Sequence, residues 1–288
     1  MYVCGKDLCR AQPDGRGVVR LTRDGKARGG YSRPAISGKG RRLAYRIGDP
    51  GRVYTAKVGA RGLGSVKRIG PAPGGPSDAT QFDVAISRDG KLVAWTETRV
   101  NVVFGGFDYR RYMARVDGRE PRQVAASGGR PFVAFFDNTR IMREGFSDAF
   151  AGRPDASTVD QGLCLPDPES EQNGTCGDTG PQVAFAPDGR HLRHPAAAPN
   201  RRTVVATAYA GGEGIDNAVD HAGSLVLFDV ATALPLRTLT PGPGDAYASF
   251  SPDGKSVVFE RGSWVYRVPV AGGKAKRVLR GRQPAWGR

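Results

Sequence analysis

The stretch FSPDGKSVVFERG, from Phe250 to Gly262, decides the fold. Pro252 presets φ for the second position of a tight turn, Asp253 can accept hydrogen bonds from nearby backbone amides, and Gly254 tolerates positive φ. Apolar residues precede the turn, and the strand-like segment SVVFE follows it. The stretch therefore predicts a tight β-hairpin.

Two further strands follow this hairpin, and the same order recurs earlier in the chain. SWVYRVPVAGG has the composition of a third strand, and KAKRVLRG that of a short fourth strand. Weaker copies of the hairpin begin at Ile36 with ISGKGRRLAYRIG and at Ile86 with ISRDGKLVAWTET. Four strands in a meander form one propeller blade, and repeats at this period indicate a radial array or a solenoid.

The repeat resembles that of the TolB-like β-propeller family, including its secreted actinobacterial type. The resemblance rests on SPDGK with the apolar strand after it and on the later pattern xVYxxxxxG, and it extends over nearly the whole chain. It implies an all-β propeller. It leaves function open, because such blades occur in binding proteins, in peptidase propeller domains and in some lyases.

Two segments compete for the turn of the fourth copy. FAPDGRHL, from Phe185, copies the turn most closely, but Pro195 interrupts the residues after it. AAPNRRTVVATA, from Ala197, is followed by a segment that can form a strand. We therefore predict that the turn lies after Ala197, that PQVAF ends the third blade, and that residues 186–195 form an inter-blade loop.

The two ends of the chain together predict one further blade. RQPAWGR at the C-terminus resembles a first strand, and the N-terminal segments YVC, DLC and GVVRLT resemble the second to fourth strands. We predict that the C-terminal strand pairs with the N-terminal strands and closes a ring of six four-stranded antiparallel blades. Residues 1–288 then form a single domain.

Composition agrees with an all-β chain and limits the classes of partner. The counts of 41 Gly and 21 Pro indicate many turns, and 39% hydrophobic residues allow a core. The formal net charge is +15, but the basic residues are scattered, so a solvated surface is favoured over nucleic-acid binding. Anionic polymers remain an alternative. No apolar run approaches the length of a membrane span.

The four cysteines fall into two local pairs, Cys4 with Cys9 and Cys164 with Cys176. Neither pair has the spacing of a structural zinc site, so two disulfides are expected, with four reduced thiols as the alternative. Disulfides indicate an extracytoplasmic location: secreted, periplasmic or on the cell surface. Because the chain opens directly on a strand-like segment, we expect that a leader was removed and that Met1 was added.

Most long segments between predicted strands fall on the propeller face opposite the SPDG turns. Loops carry function more often than scaffold, so we predict a binding surface on this loop face. The alternative is that its aromatic residues only pack the loops onto the propeller. The candidate binding residues are Phe107, Asp108, Tyr109, Arg110, Arg111, Phe150, Arg153, Tyr209, Asp216 and Asp220.

The three histidines, His191, His194 and His221, are predicted to lie on the same face. Together with nearby carboxylates they could bind a divalent metal, either calcium or a transition metal. The family resemblance allows this, since some TolB-like propellers are metal-dependent lyases with histidines at the central channel. The alternative is three separate exposed side chains.

These observations predict a non-catalytic binding or scaffold protein with no required cofactor. Its partner would be a protein or an envelope polysaccharide, and the chain would be monomeric alone. We assign no catalytic residue, because the sequence contains no GxSxG elbow, P-loop or dinucleotide fingerprint. The alternative function is a metal-assisted polysaccharide lyase, in which the imidazoles would converge on a metal.

Overall fold

The computed structural model describes residues 1–71, 80–101, 106–125, 132–146, 161–165, 182–185, 190–210 and 223–287. Every regular element in these ranges is a β-strand, and all pairings are antiparallel. No helix in these ranges has the length and apolarity needed to cross a membrane. The described chain is therefore all-β, as predicted.

The strands form meanders in chain order. The first sheet contains β1 (Tyr2–Cys4), β2 (Asp7–Arg10) and β3 (Val19–Arg20). The second contains β4 (Tyr31–Ile36), β5 (Arg42–Ile47), β6 (Arg52–Val58) and β7 (Leu63–Ile69). The third contains β8 (Thr80–Ile86), β9 (Leu92–Asn101), β10 (Gly106–Arg115) and β11 (Arg122–Ala125). The fourth contains β12 (Ala134–Phe135), β13 (Ile141–Phe146), β14 (Gln161–Cys164) and β15 (Gln182–Phe185).

The last sheet joins two meanders through one long strand. It contains β16 (Arg190–Ala197), β17 (Thr203–Ala210), β18 (Gly223–Asp229), β19 (Pro235–Phe250), β20 (Ser256–Arg261), β21 (Trp264–Pro269) and β22 (Lys276–Arg280). The first part of β19 pairs with β18, and its last residues pair with β20. Each half of this sheet therefore repeats the four-strand order of the sheets before it.

The predicted hairpin turn recurs with the same geometry. The N–H of Gly254 donates to the carbonyl of Ser251 at 2.9 Å, and Gly90 and Ser87 make the same bond. Arg201 donates to Ala198 in the same way, also at 2.9 Å. Positive φ is required at this fourth position, with values of 73° at Gly254 and 60° at Arg201. The turn after Ala197 is therefore confirmed.

The loop predicted for residues 186–195 is wrong in its second half. Arg190–Ala197 is strand β16, and it pairs with β17. Pro195 lies inside a register shift between Arg193 and Ala196. Because this β-bulge interrupts the ladder of hydrogen bonds, a proline without a backbone N–H is tolerated there. Gln182–Phe185 is the last strand of the fourth sheet, as predicted.

Side chains from neighbouring sheets fill the space between them. Trp95 and Tyr112 stack at 5.6 Å and pack against Val53 of the second sheet. Similar clusters lie between the other consecutive sheets, and a further cluster places Tyr2 of the first sheet against Val258 of the last. The sheets therefore pack face to face in chain order.

The two ends of the chain are tied together. Val3 and Arg282 exchange backbone hydrogen bonds of 2.8 and 3.0 Å, and the N–H of Ala285 donates to the carbonyl of Met1 at 2.8 Å. Cys4 and Cys9 form a disulfide within the β1–β2 hairpin, with Cα atoms 5.8 Å apart. Cys164 ends strand β14, but Cys176 lies outside the described residues, so the Cys164–Cys176 disulfide stays a prediction.

Candidate functional site

Six segments each contribute one side chain to a common cluster, which we call the inner cluster. Its members are Arg33, Asp83, Phe132, His194, Tyr247 and Gln283. Five of them stand four residues before the start of a hairpin turn, and Gln283 stands at the matching place in the C-terminal segment. The residues of the inner cluster therefore occupy the same position in each copy of the repeat.

Contacts between these side chains join distant parts of the sequence. The Arg33 guanidinium lies 4.5 Å from the ring centre of Tyr247, and its Nε is 3.9 Å from Asp83 Oδ1. The His194 ring lies 4.0 Å from that of Tyr247 and 4.7 Å from that of Phe132. Gln283 Oε1 accepts a hydrogen bond from the backbone N–H of Arg33 at 2.7 Å. The cluster is therefore interlocked.

Local backbone irregularities direct these side chains toward one another. Register shifts interrupt β4, β8, β16 and β19 at the level of the cluster. Arg33, His194, Tyr247 and Gln283 have φ of 52°, 50°, 55° and 48°. Positive φ in residues of this kind costs energy and persists only where the surroundings impose it, and a β-bulge can redirect a side chain. Repeated strain at equivalent positions marks this cluster as a candidate site.

His194 is the least solvated ionisable group of the cluster. Its side chain is buried, and neither ring nitrogen has a hydrogen-bond partner among the described residues. Burial, followed by the positive charges of Arg33 and Arg193, lowers its pKa well below the usual value. The imidazole is therefore neutral at pH 7. Burial also raises the pKa of Asp83, and the charge of Arg33 opposes that shift.

A cavity of about 260 Å³ extends from the inner cluster toward the hairpin turns, and we call it the turn-side cavity. Its charged lining residues are Arg33, Asp83, Arg88, Asp137 and Arg201. One of the two carboxylates, that of Asp137, already binds Arg140 Nε at 2.7 Å. Because cations outnumber the remaining carboxylate, the cavity favours a polar group that carries negative charge.

The predicted loop-face residues have varied positions. Tyr109 is half-buried on β10, and its ring meets that of Phe82 edge-on at 6.2 Å. Arg110 is also half-buried. Arg111 is fully buried, and its Nε donates to the carbonyl of Phe132 at 3.4 Å, so it lies inside the protein. Tyr209 is buried as well.

The remaining predicted residues give no common site in the described part of the chain. Phe107 and Asp108 lie in strand β10, not in a loop, because β9 and β10 pair as far as Asn101 and Gly106. The residues outside the described ranges are Phe150, Arg153, Asp216, Asp220 and His221.

The two described histidines have different surroundings. The His191 ring stacks on Tyr209 at 5.3 Å, whereas His194 packs within the inner cluster. The described residues contain no group of three or more His, Cys, Asp or Glu that could hold a metal ion. The metal site therefore remains a prediction that rests on sequence alone.

Sequence reasoning missed five members of the inner cluster: Arg33, Asp83, Phe132, Tyr247 and Gln283. A signal for them was present in the repeat. Each stands two residues before a small side chain in the strand that leads to the turn, namely Ala35, Ala85, Ala134, Ser249 and Ala285. Alignment of the copies on the strand before the turn, instead of the strand after it, would have found the position.

Solved structures with a similar fold belong to different kinds of protein. TolB from Acinetobacter baumannii is 17% identical, with a TM-score of 0.62, over 97% of this chain and 62% of that chain. The nidogen/laminin complex contains a chain that is 12% identical with a TM-score of 0.60, over 98% of this chain and 92% of that one. The tricorn protease is 12% identical with a TM-score of 0.57, over 95% of this chain and 29% of its own length.

These likenesses show a TolB-like β-propeller fold and nothing finer. This chain spans only 62% of the TolB chain that it matches. No protein-family model matches the sequence. No curated protein matches it either.

Proposed function

We propose that this chain is an extracytoplasmic, non-catalytic binding propeller. Its six four-stranded blades would form a single domain over residues 1–288, with the ring closed by the C-terminal segment on β1. The backbone bonds between Val3 and Arg282 and the packing of Tyr2 against Val258 support this closure. The disulfide between Cys4 and Cys9 is compatible with the proposed compartment.

The observation that carries the binding role is the turn-side cavity, whose floor is the interlocked inner cluster. Arg33 is held by Asp83 and Tyr247, and Arg88 donates to the carbonyl of Pro252 at 3.1 Å. Because these side chains are already held in place, binding a partner would lose less side-chain entropy. A TolB-like fold supports a binding or scaffold role in general.

The proposed partner is a protein that inserts an acidic segment into the turn-side cavity. A cavity of about 260 Å³ admits a few side chains, not a folded domain. Arg88 and Arg201 are exposed at its rim and carry the charge that would attract such a segment. The loop face around Tyr109 and Arg110 is a second candidate surface, and an envelope polysaccharide is a second candidate partner.

A capture experiment with charge-reversed variants tests the proposal. The immobilised protein is incubated with envelope and culture fractions of the source cell, and each captured species is quantified against the variants. We expect Arg88→Glu with Arg201→Glu to reduce capture of the partner about tenfold, the effect of roughly 1.4 kcal/mol of lost electrostatic attraction. The matched control is Lys67→Glu with Arg68→Glu on the exposed edge strand β7, which should change nothing.

The same experiment identifies the face. If the rim variant captured as much partner as the wild type while Tyr109→Ala with Arg110→Ala lost it, the turn-side assignment would be wrong. Equal loss in the rim variant and in the β7 control would indicate nonspecific attraction to a basic protein, and it would also contradict the proposal.

A further inference from the structure

The contact between the last and first sheets has a small buried core. Its cluster of buried side chains consists of Tyr2, Cys9, Val258 and Val265. The neighbouring cluster around Phe250 and Phe259, within the last sheet, has ten buried members. A cavity of about 720 Å³ lies where the first and last sheets meet, and we call it the seam cavity.

The walls of the seam cavity combine polar groups with an apolar patch from the last sheet and the C-terminal segment. Val258 and Val265 of the last sheet are buried, whereas Leu279 and Trp286 are only half-buried and line the cavity. A volume of about 720 Å³ falls within the range of small-molecule sites, and such sites combine apolar walls with a few polar groups. An apolar ligand body would remove this surface from water.

Two of the three charged side chains that line the seam cavity are arginines. The Arg10 guanidinium donates to the carbonyl oxygens of Gly59 and Ala60 at 3.3 and 2.6 Å. Arg267 donates to the Ser256 hydroxyl at 3.1 Å and lies 5.3 Å from the ring centre of Trp286. All of these acceptors are neutral, and the described residues place no carboxylate within ion-pair distance of either arginine.

The acidic residue of the lining is already engaged. Asp253 Oδ1 accepts the N–H of Lys255 at 3.0 Å and the hydroxyl of Ser251. These hydrogen bonds, with that of Ser251 the largest contribution, lower its pKa. Two guanidinium groups therefore face one occupied carboxylate, and an anionic head group would find charge-assisted donors at this edge of the cavity.

We propose that the seam cavity binds an alkyl carboxylate, with the chain against Val265, Leu279 and Trp286 and the carboxylate at Arg267. Arg267 is favoured over Arg10 for the head group because it lies directly over Trp286, where the apolar wall meets solvent. This inference does not depend on the protein partner proposed above. The turn-side and seam cavities share six lining residues, namely Ile36, Ser251, Pro252, Pro284, Ala285 and Trp286, but Leu279, Val265 and Arg267 line only the seam cavity.

Isothermal titration with dodecanoate, below its micelle-forming concentration, tests the proposal directly. We expect one saturable site per chain in the wild type and at least tenfold weaker binding in Leu279→Trp, in which the larger side chain occupies the cavity. Val66→Trp, an exposed position on β7, is the matched control and should bind as the wild type does. Absence of saturable binding, or equal affinity in Leu279→Trp, would overturn the site.

The head group has its own test. Dodecyltrimethylammonium has the same chain and the opposite charge, and we expect it to bind at least tenfold more weakly than dodecanoate. Arg267→Gln should reduce that preference to near unity. If the wild type bound both amphiphiles equally, the assignment of a carboxylate ligand would be wrong even though the cavity binds alkyl chains.

A measurement on the wild-type fold covers the case in which Leu279→Trp does not fold. The chain has three tryptophans, and of these Trp286 lines the seam cavity, whereas Trp95 is fully buried between the second and third sheets. An alkyl carboxylate brominated on the carbon next to its carboxylate, the part of the ligand placed at Trp286, should quench about a third of the fluorescence in the wild type and almost none in Trp286→Phe. Equal loss of signal in both proteins would place the ligand elsewhere and contradict the proposal.

Discussion

His194 is held as a neutral imidazole between the positive charges of Arg33 and Arg193, and this makes stability depend on pH. Its pKa in the folded protein lies well below the value of about 6.5 in the unfolded chain. Below about pH 6.5 the unfolded chain therefore binds the extra proton, and the free energy of unfolding falls by up to about 1.4 kcal/mol per pH unit. Above that pH the effect vanishes.

Urea unfolding of the wild type and His194→Phe between pH 5.5 and 7.5 measures this dependence. We expect the wild type to lose roughly 1 kcal/mol more than His194→Phe between pH 6.5 and 5.5. Burial lowers the pKa of the Met1 ammonium to about 5, and this group adds the same slope to both proteins. The raised pKa of Asp83 acts in the opposite direction as the pH falls, and it is common to the wild type and the variants. His191→Phe, which removes the imidazole stacked on Tyr209, is the control and should keep the wild-type slope. The same slope in His194→Phe and the wild type would refute the assignment.

His194 also shows what residue-level reasoning from the sequence could and could not reach. The sequence marked it as a candidate because it is one of three histidines, but Pro195 led to its placement in a loop. Its neighbours Arg33, Phe132 and Tyr247 come from three other segments, and no local pattern brings them together. The type of residue was predictable, whereas its burial and its partners depend on the tertiary contacts.

At the scale of elements, successive copies of the hairpin turn pack against one another. The N–H of Gly38 donates to the carbonyl of Arg88 at 2.8 Å, so the turns of the second and third sheets touch. The sequence predicted the turn itself, because proline, aspartate and glycine each have a local conformational reason to be there. It did not predict the contact between turns, which depends on how neighbouring sheets pack.

This contact makes Gly90 less tolerant of a side chain than Gly262, a glycine of the turn between β20 and β21. Gly90 has φ of 74°, and a Cβ there would lie 3.2 Å from Ser37 Cβ and Arg42 Cγ of the neighbouring turn. Gly262 has φ of 61° and open space around it. Both alanine variants should lose about 1 kcal/mol from the left-handed backbone, and Gly90→Ala should lose roughly 1 kcal/mol more from crowding. Equal denaturation midpoints for the two variants would show that the neighbouring turn does not crowd a side chain at position 90.

At the scale of the whole molecule, the sequence shows the repeated hairpin but not the shape of the cavities. The copies are visible because each carries its own turn and apolar strands. Both cavities are bounded by segments from opposite ends of the chain: Arg33 and Gln283, which are 250 residues apart, line the turn-side cavity, and Tyr2 and Trp286 line the seam cavity. Their volume and charge depend on which side chains meet there, and the repeat leaves those side chains free to vary.

The junction between the two ends depends on Glu260, a buried residue of β20. Its Oε1 accepts Arg282 Nε at 2.9 Å, and its Oε2 accepts the N–H of Gln283 at 2.7 Å, so it fastens the C-terminal segment beside β1. Glu260→Ala would leave the N–H of Gln283 without this acceptor, and we expect a loss of about 2–3 kcal/mol in the free energy of unfolding. Arg282→Ala should cost about 1 kcal/mol or less, because the Arg282 side chain is 59% exposed and the pair is partly screened by solvent.

Native-state hydrogen exchange distinguishes loss of the junction from general destabilisation. The N–H groups of Val3 and Ala285 bond across the junction, whereas that of Ser87 bonds within the third sheet to the carbonyl of Leu92. In Glu260→Ala the first two should exchange at least tenfold faster relative to Ser87 than they do in the wild type, because the ends separate by local opening. If all three accelerated by the same factor, the ends would open only with the whole molecule, and Glu260 would have no separate role in holding them together.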